Sequence, residues 1–264
     1  MTAAELDESF AGADLDDRVW FPYYLPHWSS RATSAATYEI RAGELRLTIA
    51  DDQPLWCADR HAEPLRVSCL QTGSYAGPLG STAGQQPFAD GLTVTEEQPT
   101  FWGCTPHFGS LAVTMRGTVG PASMIAFWLS GIEDRPERSG EICVAEIFGD
   151  AVVDGVAQVG IGVHAFRDPN LTEEFATEPL RLDVGQDHTY GVDWRPGSLV
   201  FSVDGAVVRQ LSQAPDYPVQ LMLGVFAFPD RHPGLAGDEP IPELVVTRVR
   251  VTPMGRQTVG SAVR

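Results

Sequence analysis

The chain has 264 residues, 43% hydrophobic and 20% charged, which is enough apolar material for a sizeable core without disulfide staples. Its 35 acidic and 18 basic side chains leave a formal net charge of −17, and such a surface repels phosphate backbones and argues against nucleic acid as a partner. No stretch approaches the roughly 18 apolar residues of a membrane-spanning helix, and residues 1–10 are acidic with no apolar run, so the expectation is a cytoplasmic chain, or a secreted one if a leader has been removed.

In chain order, an aromatic cluster of Trp20, Phe21, Tyr23, Tyr24, His27 and Trp28 is broken by Pro22 and Pro26, which predicts loop or short extended pieces. Residues 38–49 alternate around Ala42-Gly43-Glu44 and predict a hairpin. The segment 51–66 is proline-rich and irregular, 67–74 reads as a strand, 76–87 as loop, and 91–96 alternates as a strand would. Residues 105–129 predict two strands about a turn at 118–121. The second of these is nearly all apolar, as suits a strand covered on both faces. A charged loop at 133–139 leads into 140–148, and 157–165 is a strand ending near His164. Residues 168–178 read as acidic loop. Asp204-Gly205 between alternating runs is the signal of a type I′ hairpin. Residues 219–228 form another apolar strand, 230–242 a loop, 243–251 the strand that closes the sheet, and 253–264 a polar tail. Many short strands with turn signals roughly every 8–12 residues predict an all-β, two-sheet antiparallel sandwich, one domain over 1–264 with its core at about 10–252.

The chemistry concentrates in 140–148, Gly-Glu-Ile-Cys-Val-Ala-Glu-Ile-Phe. In a regular strand Glu141 and Cys143 share one face and Glu146 takes the other. One extra residue, a β-bulge, returns Glu146 to the face of Glu141. Paired carboxylates on one groove are what a retaining glycosidase uses, one as nucleophile and one as acid/base. The alternative is a strand with two solvated glutamates. The four cysteines, Cys57, Cys69, Cys104 and Cys143, form no Cys-x-x-Cys pair or Cys/His cluster in sequence, so no metal ligand set is expected. A nucleophilic role for Cys143 is disfavoured, because adjacent glutamates oppose thiolate formation.

The ordered set Ala126-Phe-Trp-Leu129, Glu141…Glu146, His188-Thr-Tyr…Trp194-Arg-Pro196 and Val203-Asp-Gly205 resembles glycoside hydrolase family 16, the laminarinase and lichenase group. The resemblance spans roughly residues 10–251 and implies a concanavalin A-like jelly roll. It also implies endo-type hydrolysis of β-1,3 or mixed β-1,3/1,4 glucans, with Glu141 as nucleophile and Glu146 as acid/base. Cys143 stands where the family places an Asp between the glutamates. That substitution leaves a second reading open, a catalytically weak or inactive carbohydrate-binding protein on the same fold. The resemblance further implies a cleft histidine at His164, and sugar contacts from Trp128, Phe148 and rings of the aromatic cluster such as Trp20 and Tyr23. The family's loop Trp is missing from 133–139, which leaves Trp102 or Trp20 to supply that platform. Trp128 also fits a core position, and the aromatic cluster also fits a plug beneath a long loop. No cofactor is implied. A structural calcium is disfavoured, because Thr247 stands where the family uses an Asp. The expected partner is a polysaccharide or oligosaccharide, bound by a monomer.

Overall fold

Apolar alternation lays the chain out as two antiparallel sheets in the computed structural model, which describes residues 5–50, 52–232 and 240–255. The first sheet runs Ala206–Leu211, Ser198–Val203, His188–Arg195, Gly109–Thr118, Glu243–Pro253, Glu44–Thr48 and Thr37–Arg41, with Leu6–Glu8 also paired to Glu243–Pro253. The second runs Val152–Val153, Val156–His164, Glu141–Phe148, Ser123–Gly131, Val219–Ala227 and Arg66–Gln71, with Glu174–Arg181 also paired to Val156–His164. Asp204 and Gly205 both take positive φ (51° and 79°) between Val203 and its partner Ala206, the expected type I′ turn.

Two apolar clusters follow from this layering. The larger fills the space between the sheets, with Leu111, Val113, Tyr190, Trp194 and Phe201 from one sheet against Phe127, Leu129, Ile142, Val159 and Leu221 from the other. The smaller lies on the opposite, outer face of the second sheet, where Trp128, Cys143, Met222 and Phe226 pack against Leu25, Trp28, Trp56 and Leu92 from the covering loops. This explains why every residue of Ser123–Gly131 is buried.

Three expectations need correction. Residues 91–96 alternate in burial but join no sheet: Leu92 and Val94 pack into the outer cluster, while the Val94 N–H donates to the Ser81 carbonyl. Part of the predicted acidic loop is the strand Glu174–Arg181. Its charges and Pro179 mark an exposed edge strand rather than a loop. Glu243–Pro253 does not close the first sheet but lies inside it, between Gly109–Thr118 and Glu44–Thr48. The predicted tail from 256 onward, and residues 233–239 of the 230–242 loop, lie outside the described residues. All four cysteines are buried free thiols.

Candidate active site

Glu141–Phe148 is an interior strand, paired with Ser123–Gly131 on one side and Val156–His164 on the other. Its register shifts by one residue. Ala145 faces Phe127 and Cys143 faces Trp128, so Val144 is the additional residue of a bulge. The alternation is thereby re-phased: Ile142, Val144, Ala145 and Ile147 all enter the inter-sheet core. Glu141, Cys143 and Glu146 together line a cavity of about 580 Å³ on the outer face. The residue opposite Glu146 is a glycine for a steric reason. A Cβ at Gly160 would stand 2.5 Å from the Phe175 ring and 3.1 Å from the Glu146 Cβ.

The two carboxylates straddle one sulfur. The Cys143 thiol, 2% exposed, lies 3.4 Å from Glu141 Oε1 and 3.8 Å from Glu146 Oε2. Burial pushes Glu141 up to about 8; the thiol's hydrogen bond offsets this in part, and the charges of Glu146 and Glu173 add to it. Burial also raises Glu146, while His164 and the Cys143 hydrogen bond pull it down. The thiol itself is held far above its ordinary range by burial and then by the two glutamates, so it is neutral and donates. A nucleophilic thiolate is therefore disfavoured here.

Three loops complete the site, and each carries a non-glycine residue in the left-handed region that lines the cavity: Gln86 (φ 47°), Glu133 (φ 57°) and Phe166 (φ 44°). Such conformations persist where surrounding contacts fix them. Here the Gln86 N–H donates to Glu133 Oε1 at 2.7 Å, and its amide donates to Ser130 Oγ at 2.7 Å and Glu141 Oε2 at 3.4 Å. Glu133, 4% exposed, is ion-paired with Arg167. Rings of Tyr24, Trp56, Phe88, Trp128, Phe226 and Phe228 form the apolar part of the lining.

Residues 104–230 match the sequence model for glycosyl hydrolases family 16. That stretch, a little under half of the chain, carries the resemblance to family 16 read from the sequence. No curated protein matches its sequence. Among solved structures it is similar to a GlcNAcα1-4Gal-releasing endo-β-galactosidase from Clostridium perfringens, at 22% identity and a TM-score of 0.76, covering 94% of this chain and 62% of that one. It is also similar to a laminarinase from Flavobacterium sp. UMI-01, at 15% identity and a TM-score of 0.64, covering 94% of this chain and 99% of that one. A Bacillus licheniformis β-glucanase gives 15% identity and a TM-score of 0.60, covering 96% of this chain and all of that one. At such identities the likeness establishes the fold, the jelly-roll sandwich of family 16.

The family 16 frame brings together some of the residues read from sequence and separates others. Trp128 lines the cavity with the three residues of the bulged strand. The His164 ring stands beside them, its Nδ1 held 2.6 Å from Glu173 Oε1. Phe148 sits just outside, 5.8 Å from the cavity-lining Phe228 and beneath the Arg231 guanidinium at 4.2 Å. Trp20 is not a cleft ring: it is 2% exposed in the inter-sheet core, 6.2 Å from Phe10. Tyr23 does not line the cavity either, and packs between Phe21 and Arg31. Trp102 is 43% exposed on the short strand Phe101–Trp102 and also lies outside the lining. Of the aromatic cluster, Tyr24 alone contributes a ring to the wall. Trp56 and Gln86 sit in segments that read as irregular loop, and Phe88 directly follows one, where no periodicity marks a face.

Proposed function

We propose that this chain is a retaining glycoside hydrolase of endo type acting on β-1,3 or mixed β-1,3/1,4 glucans. The Glu141 carboxylate attacks the anomeric carbon while the Glu146 carboxyl protonates the departing glycosidic oxygen. That leaves a glycosyl ester on Glu141. Glu146, now ionised, takes a proton from water, and that water displaces the ester and regenerates both groups. The Cys143 thiol bridges the pair without adding charge, and Gln86 orients Glu141. The hydrolytic cycle uses no metal. The observation that carries this reading is the bulge at Val144, which turns Glu141 and Glu146 toward one sulfur in one cavity. The aromatic lining supports it, since flat rings pack against the C–H faces of sugars.

A second substrate reading is a β-galactoside-containing glycan. It is favoured by the TM-score of 0.76 to the Clostridium perfringens galactosidase, whose length this chain spans only in part. Reducing-end release from laminarin, lichenan and β-galactoside glycans, with Glu141→Gln as control, separates the substrates, and the anomer first formed tests retention. Saturable glycan binding with no turnover on any substrate would replace the hydrolase by a carbohydrate-binding protein.

A further inference from the structure

We propose that Glu141, Cys143 and His164 form a binding site for a thiophilic divalent cation of the zinc class, one that occupies the cleft in competition with substrate. One ligand atom from each of the three residues lies within 4.8 Å of the others, on a partly to fully buried surface. Tetrahedral zinc, with bonds of about 2.0–2.3 Å, sets its ligand atoms about 3.3–3.8 Å apart. The Cys143 sulfur and Glu141 Oε1 already stand 3.4 Å apart. The remaining spacings, none above 4.8 Å, exceed the tetrahedral range by at most about 1 Å.

The surroundings favour a cation independently of that spacing. His164 Nδ1 is engaged by Glu173 Oε1 at 2.6 Å, and Nε2 has no hydrogen-bond partner among the described residues. A histidine held by a carboxylate on one nitrogen, with the other free, has the orientation and basicity of a metal ligand. The charges also balance. Binding displaces both the Cys143 thiol proton and the Glu141 carboxyl proton to solvent, so one thiolate and one carboxylate meet a double positive charge beside a neutral imidazole. Glu146 Oε2, 3.8 Å from the sulfur, stands at the edge of the site as a fourth ligand or as the partner of a bound water. Sulfur decides the class of ion: soft and borderline cations take thiolate, whereas magnesium and calcium prefer oxygen. The other three cysteines belong to no comparable group of ligands among the described residues.

Cobalt(II) is the probe, because thiolate coordination gives it a near-ultraviolet charge-transfer band. Titration of the full chain is expected to give that band with one equivalent, and Zn²⁺ is expected to displace it. Cys143→Ser should abolish the band, His164→Gln should weaken Co²⁺ binding at least tenfold, and Glu173→Gln should weaken it about 10–100-fold by freeing the histidine. Cys104→Ser should leave the band unchanged. Absence of the band in the wild-type chain, or its persistence in Cys143→Ser, overturns the proposal. Glu173 lies on the exposed rim, so its variant tests the site even if Cys143→Ser fails to fold. The readout is optical, so an inactive but cobalt-binding chain would refute the hydrolase reading alone, and an active chain without the band would refute the metal site alone.

Discussion

The strand Glu141–Phe148 has two faces that differ in every physical respect. One presents Ile142, Val144, Ala145 and Ile147 to the inter-sheet core; the other presents Glu141, Cys143 and Glu146 to the cavity. The first face lowers the free energy of folding by removing apolar surface from water. The second raises it, since two carboxyl groups are held in a site that resists their ionisation, as the upward shifts of both glutamates record. A site of this kind exists because the opposite face of the same strand is strong enough to hold it.

Substitutions on the two faces should therefore have opposite signatures. Glu146→Gln is expected to lower kcat by about 10²–10⁴-fold, the range for lost acid/base assistance, with a melting temperature held or raised at neutral pH; Glu141→Gln should lose at least as much. A Glu146→Gln enzyme retaining wild-type kcat would remove the pair from the chemistry. On the core face, Ile142→Ala or Ile147→Ala should cost about 2–5 kcal/mol of stability by denaturant unfolding. The surviving folded fraction should keep its KM. If either truncation instead left stability intact and changed KM, the division of labour would be wrong.

Cys143→Asp sharpens the contrast further. A carboxylate between Glu141 and Glu146 raises both by like-charge repulsion. Both limbs of the pH–rate profile should move to higher pH. An unmoved profile in a stable variant would take residue 143 out of the electrostatics of the pair. Stability follows pH in a defined direction. Glu141 titrates near 8 in the folded chain against an ordinary 4.5, so its contribution is complete below about 4.5 and is lost as pH rises through 8. The melting temperature of Glu141→Gln should thus gain on wild type across that window, and a constant difference would contradict the burial of this carboxyl. The smallest effect is reserved for calcium. Thr247 sits at a register shift beside Val246, its hydroxyl donating to the Thr114 carbonyl at 3.4 Å, with no carboxylate to offer. Binding no tighter than the applied concentration adds at most about 0.4 kcal/mol, so millimolar calcium should barely move the melting temperature.

The two faces were also unequally legible in the sequence. Unbroken apolar runs and the Asp204-Gly205 turn announce strands and hairpins, because period and turn chemistry are local properties. The bulge could be inferred from Glu141 and Glu146, which a regular strand would put on opposite faces. The cavity walls were harder. Trp20 and Tyr24 lie four positions apart in one aromatic cluster, yet Trp20 enters the inter-sheet core while Tyr24 lines the cleft. Without a repeating backbone, nothing local assigns a ring to one side. Gln86, Glu133 and Phe166 converge only through the paths of three separate loops, which depend on long-range packing rather than on neighbouring residues.

The bulge at Val144 also ties the site to the length of its strand. The acting side chains fall at positions n, n+2 and n+5, a change of parity that regular pleating forbids. No substitution restores even spacing, since replacing a side chain leaves the backbone count untouched. Loss of the Val144 or Ala145 codon does restore it, and Glu141, Cys143 and Glu146 then share one face of a regular strand. The constellation is in this sense written in the length of the segment as much as in its letters.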